Sequence, residues 1–163
     1  KFIRYSQHLI ERTGVGIVEE QGGKLVSVHW EVIRTKTKQS FPERLKLIYQ
    51  SLVEAIKNFS PDEVVVEDLF FASNAKSALK LGQTRGVAIL AAANMNKPIA
   101  EYSPLEVKLS VVGYGRADKT QVQFMVARLL NLKTPPKPFD ACDALAIAVC
   151  HAHSAATQRK IQI

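Results

Sequence analysis

The chain has 163 residues, with 22 lysines and arginines against 15 aspartates and glutamates, a formal charge of +7 and a pI near 9.5. An apolar share of 47% is enough to bury the core of one domain and argues against wholesale disorder. No run of 18 apolar residues is present, so no membrane-spanning helix is expected, and Lys1-Phe2-Ile3-Arg4 carries no secretory pattern, so a cytoplasmic location is expected.

Gly14 to Val18 reads as a strand, Gln21 to Lys24 as a Gly-Gly turn, and Leu25 to Thr35 as a second, antiparallel strand. On that strand Val26, Val28 and Trp30 alternate with Ser27, His29 and Glu31, which assigns Trp30 to sheet packing. Ser40 and Glu43 have capping-box spacing and open a helix whose Leu45, Ile48, Leu52, Ile56 and Phe59 form one stripe. Glu63 to Glu67 is a short apolar run of the kind that forms a buried parallel strand. An Ala- and Leu-rich helix from Asn74 to about Met95 follows, then a strand from Lys97 to Tyr102 and a helix opened by Ser103-Pro104. Gly113 ends that helix, Asp118 caps the next, and a last helix runs from about Phe139 to Ala155, followed by a polar tail from Ala156. A hairpin and then alternating strands and helices predict an α/β fold, a mixed sheet flanked by helices on both faces. Residues 1–155 form the expected domain and 156–163 the tail.

Charge and carboxylate placement carry the chemistry. From Lys76 onward basic residues are spread through folded elements, as on a surface that tracks a phosphate backbone. Glu67 ends the apolar strand, where ligands bind in open α/β sheets. Asp140 and Asp143 are three apart in the first turn of the last helix, with Ala141, Ala144 and Ala146 clearing space around them. Acids at that position also complement the helix dipole, and a strand-terminal Glu can simply face water. Convergence of all three would suit hard divalent cations, with Mg²⁺ and substrate phosphate sharing the site. Phe70 and Phe71 stand in the loop after Glu67, where stacking on bases competes with core packing for at least one of the two, and Phe70 is assigned outward.

Cys142 and Cys150 lie eight residues apart on one helix, about 12 Å along its axis, too far for a disulfide. His8, His29, His151 and His153 have no ligand partner at useful spacing and read as packing or surface residues. Gly82 and Gly86 permit close helix approach, as against the sheet.

Several segments together resemble the RuvC family of bacterial Holliday-junction resolvases. They are Arg44 to Tyr49, Val66 to Asn74, Ser77 to Gly86, Val107-Lys108, Val111 to Gly115, Lys119 and Asp140 to Ala148, within a resemblance running from about Thr13 to His153. The resemblance implies a ribonuclease H-like fold, a homodimer, and Mg²⁺-dependent symmetric nicking of four-way junction DNA in recombination and repair. It implies two Mg²⁺ per site, with Mn²⁺ as a substitute, and a branch-migration helicase complex as partner. It makes Glu67, Asp140 and Asp143 metal ligands and places Lys108 and Lys119 beside the scissile DNA. Phe70 would touch bases at the junction, and Lys76, Lys80, Arg85 and Arg116 join the DNA-binding set. Residues 1–12 depart from the family: an ungapped alignment puts Gln7 where a further catalytic Asp belongs, and Gln supplies no negative charge. The alternative is therefore a junction-binding protein with impaired cleavage.

Overall fold

The computed structural model describes the backbone of residues 1–9, 11–68 and 75–161, and side chains within 1, 11–68 and 75–157. Five strands and five helices follow one another as β1 (Phe2–Leu9), β2 (Arg12–Gln21), β3 (Lys24–Arg34), α1 (Phe41–Phe59), β4 (Glu63–Glu67), α2 (Ala75–Asn94), β5 (Ile99–Tyr102), α3 (Pro104–Val112), α4 (Lys119–Leu129) and α5 (Phe139–Ile161). Spatial order in the sheet is β3-β2-β1-β4-β5. β1 runs antiparallel to β2 and parallel to β4, and β4 runs parallel to β5, so the sheet is mixed as expected.

Each turn and cap has a local cause. Gly22 and Gly23 both take positive φ, the backbone that closes a two-residue hairpin loop, which joins β2 to β3. The Ser40 amide donates to Glu43 Oε2 at 2.7 Å, and the Ser103 amide to Glu106 Oε2 at 2.7 Å, opening α1 and α3. Asp118 caps α4 by accepting from the Gln121 amide at 2.8 Å. Gly113, at φ 92°, stops α3 in the left-handed region.

Both sheet faces are covered. On one, Val15, Ile17, Val64 and Val66 pack against Ile48, Leu52 and Ile56 of α1 and Ala88, Ala91 and Ala92 of α2. On the other, Val18 and Val65 meet α3, α4 and α5 through Val107, Val111, Val126, Leu145 and Val149. The second face is where the sheet and α5 come closest. A Cβ on Gly14 would stand 1.9 Å from the Asp140 carbonyl oxygen, and one on Gly16 2.9 Å from the Leu145 amide nitrogen. Only glycine lets the backbones approach so closely.

Three sequence expectations need correction or completion. α5 continues to Ile161 rather than ending near Ala155, because Ala155 to Lys160 offers no Gly or Pro and Thr157 Oγ1 bonds back to the His153 carbonyl at 2.9 Å. Trp30 and Val28 are exposed on edge strand β3 and do not belong to the core. A register shift beside Ile17 and Val18 alters the alternation there, and it is His29 that stacks on Phe59, 4.9 Å between ring centroids. Residues 2–9 form a strand, with Gln7 in register with Thr13.

Candidate metal and nucleic-acid site

The first turn of α5 is built from its neighbours inward. The Pro138 carbonyl accepts from the Ala141 amide at 3.1 Å, fixing the helix entry. Asp140 is 6% exposed, with its backbone seated on Gly14. Asp143, half-buried, follows three residues later on the same turn. Across from it Lys119, the first residue of α4, places Nζ 3.9 Å from Asp143 Oδ2. The structure thus brings Asp140, Asp143 and Lys119 to one place, where the starts of α4 and α5 meet.

Glu67 ends β4 in register with Tyr102 and is half-buried. It lies two residues beyond Val65, on the sheet face that carries α5. Among the described residues, however, no three His, Cys, Asp or Glu side chains gather closely enough to hold a metal ion. The α5 acids form a pair, with Glu67 on their face of the sheet but not joined to them in a three-ligand group. The donors themselves suit a hard cation: Mg²⁺ is commonly held by one or two carboxylates, with substrate phosphate and water completing its shell. Cys142, between the two acids in sequence, is buried, and desolvation pushes its thiol up to about 12, so it remains protonated. Cys150 is likewise buried and outside any disulfide, its Sγ donating to the Glu106 carbonyl at 3.8 Å.

The other expected DNA contacts have different fates. Phe70 lies outside the described residues. Lys76 and Arg116 are exposed, and Lys108 is half-buried on α3. Lys80 holds its ammonium 5.9 Å from the centroid of the Phe41 ring. Arg85 is engaged within the protein, ion-paired to Glu101 and 3.8 Å from Asp68 Oδ1, where it braces the ends of β4 and β5. His151 is buried, its Nε2 3.1 Å from Glu63 Oε2 and its Nδ1 3.0 Å from the Tyr102 hydroxyl, in line with a packing role.

Two features lie outside the sequence expectations. Arg12 and Arg34 are direct cross-strand partners on β2 and β3, both exposed, and neither forms an ion pair among the described residues. Like charges directly opposite repel, and Arg12 shares the sheet face of Gly14, which touches Asp140. Only the register reveals that pairing. The second feature is Phe139, exposed immediately before Asp140; its four-residue spacing from Asp143 was a legible signal.

Residues 9–151 match the family model described as Crossover junction endodeoxyribonuclease RuvC. A protein of that description from Alkaliphilus oremlandii is 52% identical over 141 residues, covering 86% of this chain and 86% of its own. The Thermus thermophilus RuvC structure is 34% identical with a TM-score of 0.85, over 96% of this chain and 94% of that one. The T. thermophilus protein solved in complex with a Holliday junction substrate, also 34% identical, superposes with a TM-score of 0.88 over 96% of this chain and 93% of its own.

Proposed function

Because the chain belongs to the RuvC family of crossover junction endodeoxyribonucleases, we infer that it is a DNA endonuclease resolving four-way junctions by metal-dependent nicking in recombination and repair. The carrying observation is the Asp140–Asp143 pair with Lys119 beside it, on a chain that shares its whole architecture with a junction-bound relative.

Asp140 and Asp143, with Glu67 from the same sheet face, would hold Mg²⁺, and scissile phosphate oxygens would complete its shell. When bound, that cation supplies Lewis-acid polarisation of the phosphoryl group and a more acidic water. Lys119 would act directly: its ammonium, 3.9 Å from Asp143 Oδ2, would offset the negative charge that develops on the phosphate. Lys108 would supply a second positive charge from α3. Gly14 fixes Asp140 against the sheet, so the carboxylate is positioned by packed backbone rather than by a loop. Arg12 and Arg34 would neutralise phosphates on the same face, with Lys76, Lys80 and Arg116 extending the basic surface and Phe70 contacting bases. Arg85 would act there as a brace.

The unit is one ribonuclease H-like domain acting as a homodimer. α2 presents Leu79 and Leu90, 68% and 52% exposed, with Gly82 and Gly86 between them facing open space. Such an apolar, close-approach stripe suits a second copy, and two-fold symmetry gives two identical sites for two strands of like polarity. A branch-migration helicase complex would be its partner, and a chromosomal substrate would place it in the cytoplasm. No helix among the described residues is long and apolar enough to cross a membrane.

The test is cleavage of a synthetic four-way junction against a linear duplex in Mg²⁺. Paired nicks in two strands of like polarity, absent from the duplex, are expected. Junction binding without nicking would instead favour a binding protein crippled by Gln7. Sedimentation of the same preparation reads the dimer, and a monomer would leave paired nicking unexplained.

A further inference from the structure

Phe139 begins α5 and is 41% exposed. Asp140, Ala141, Cys142 and Ala144 are all buried and Asp143 is half-buried, so Phe139 is the exposed side chain at the start of this helix. Lys119 stands over Phe139 and Asp143, its Nζ 5.9 Å from the ring centroid and 3.9 Å from Asp143 Oδ2. A partly exposed phenyl ring beside an ammonium offers no ligand to a cation and belongs to neither core cluster. A cation–π contact with Lys119 at an exposed position is too weak to account for it. What such a ring does offer is a flat apolar face within one nucleotide's reach of a phosphate contacted by Lys119.

We propose that Phe139 is the platform on which the nucleobase flanking the cleaved phosphate stacks, and hence a determinant of which nucleotide is accepted at the cut. The proposal rests on the nuclease reading of Asp140, Asp143 and Lys119. Every nucleobase has a π face, so stacking tolerates all four bases while favouring those that stack more strongly. At a branch point some bases have lost a stacking neighbour, which lowers the cost of moving one onto a protein ring. The ring's place on a helix, packed through Asp140 against Gly14, makes the platform rigid.

The test places 2-aminopurine, in turn, at each nucleotide around the branch point of a four-way junction. Fluorescence is read with the full-length protein bound in Ca²⁺, without cleavage, and cleavage is then read in Mg²⁺. One position beside the cut should change its fluorescence on binding, and Phe139→Ala should abolish that change while Phe139→Trp keeps it. In Mg²⁺, Phe139→Ala should lower kcat/KM roughly tenfold and flatten the preference among nucleotides at the cut, with Trp restoring both. An unchanged fluorescence response in Phe139→Ala, whether or not cleavage slows, overturns the proposal and leaves the ring as a support for Lys119. Wild-type binding with no responsive position overturns it too, while the nuclease reading survives. Failure of the wild type to bind the junction removes both.

Discussion

The Cα of Gly14 lies so close to Asp140 that a side chain there would begin 1.9 Å from the Asp140 carbonyl oxygen. A carboxylate expected to work on DNA is thus aimed by a strand glycine more than a hundred residues earlier. Since the obstructing atom is backbone, it cannot be moved by a change of rotamer.

Gly14→Ala should therefore displace the first turn of α5. Overpacking of this kind costs about 3 kcal/mol, visible as a lower Tm, and junction cleavage should fall much further than junction binding. An alanine variant with wild-type Tm and turnover would show that the contact has no part in placing Asp140.

Lys119→Ala removes the ammonium beside Asp143. Turnover should drop about 100-fold, the scale of losing one preorganised charge-stabilising group, with junction affinity changed little. Lys108→Ala should act in the same direction. Equal losses in binding and unchanged turnover would reduce either lysine to a backbone contact.

Gln7→Asp tests the fourth carboxylate position. Cleavage should rise at least about tenfold, the range over which changes around a metal site move its activity, while binding stays level. Equal rates in both proteins would mean that another group completes the site. β1 sets Gln7 in register with Thr13, beside rather than opposite the glycine that meets Asp140.

Arg12 and Arg34, cross-strand partners on β2 and β3, are expected to make junction binding depend on salt. Each phosphate contact contributes about 0.9 to the slope of log affinity against log salt. Replacing both by Ala should reduce the slope by roughly 2, measured by titration at several salt concentrations. An unaltered slope would place the DNA elsewhere.

His151 should make stability fall on the acid side. Burial among Glu63 of β4 and Tyr102 of β5 lowers its pKa below the ordinary 6.5, with Glu63 opposing the shift. The unfolded chain then takes up a proton that the folded one resists, so stability is full above pH 6.5 and is lost as pH falls below it. The decline in Tm between about pH 7 and 5 should be shallower in His151→Gln. Parallel declines would assign the effect to other groups.

Much of the architecture was legible because it is written in local chemistry. The Ser40–Glu43, Ser103–Glu106 and Asp118 caps, the Gly22-Gly23 turn and the stripe from Ile48 to Ile56 announce themselves through neighbours only a few residues apart. The Asp140–Asp143 pair is of the same kind, since three residues on a helix already fix a shared face. The extension of α5 to Ile161 has a local reason too: a polar composition does not end a helix that contains no breaker.

What the sequence determined by itself was the order of the elements, their caps and the identity of the acids. Tertiary structure alone decided that Gly14 seats Asp140, that Lys119 spans from α4 to Asp143 and the Phe139 ring, and that Arg85 is taken up by Glu101. It also set Arg12 opposite Arg34, and placed Glu67 on the acids' side of the sheet without gathering all three around one point. The division follows from range. Helix and turn periodicities couple residues within a few positions, whereas strand register and helix-on-sheet packing couple residues distant in sequence through the burial of a shared core.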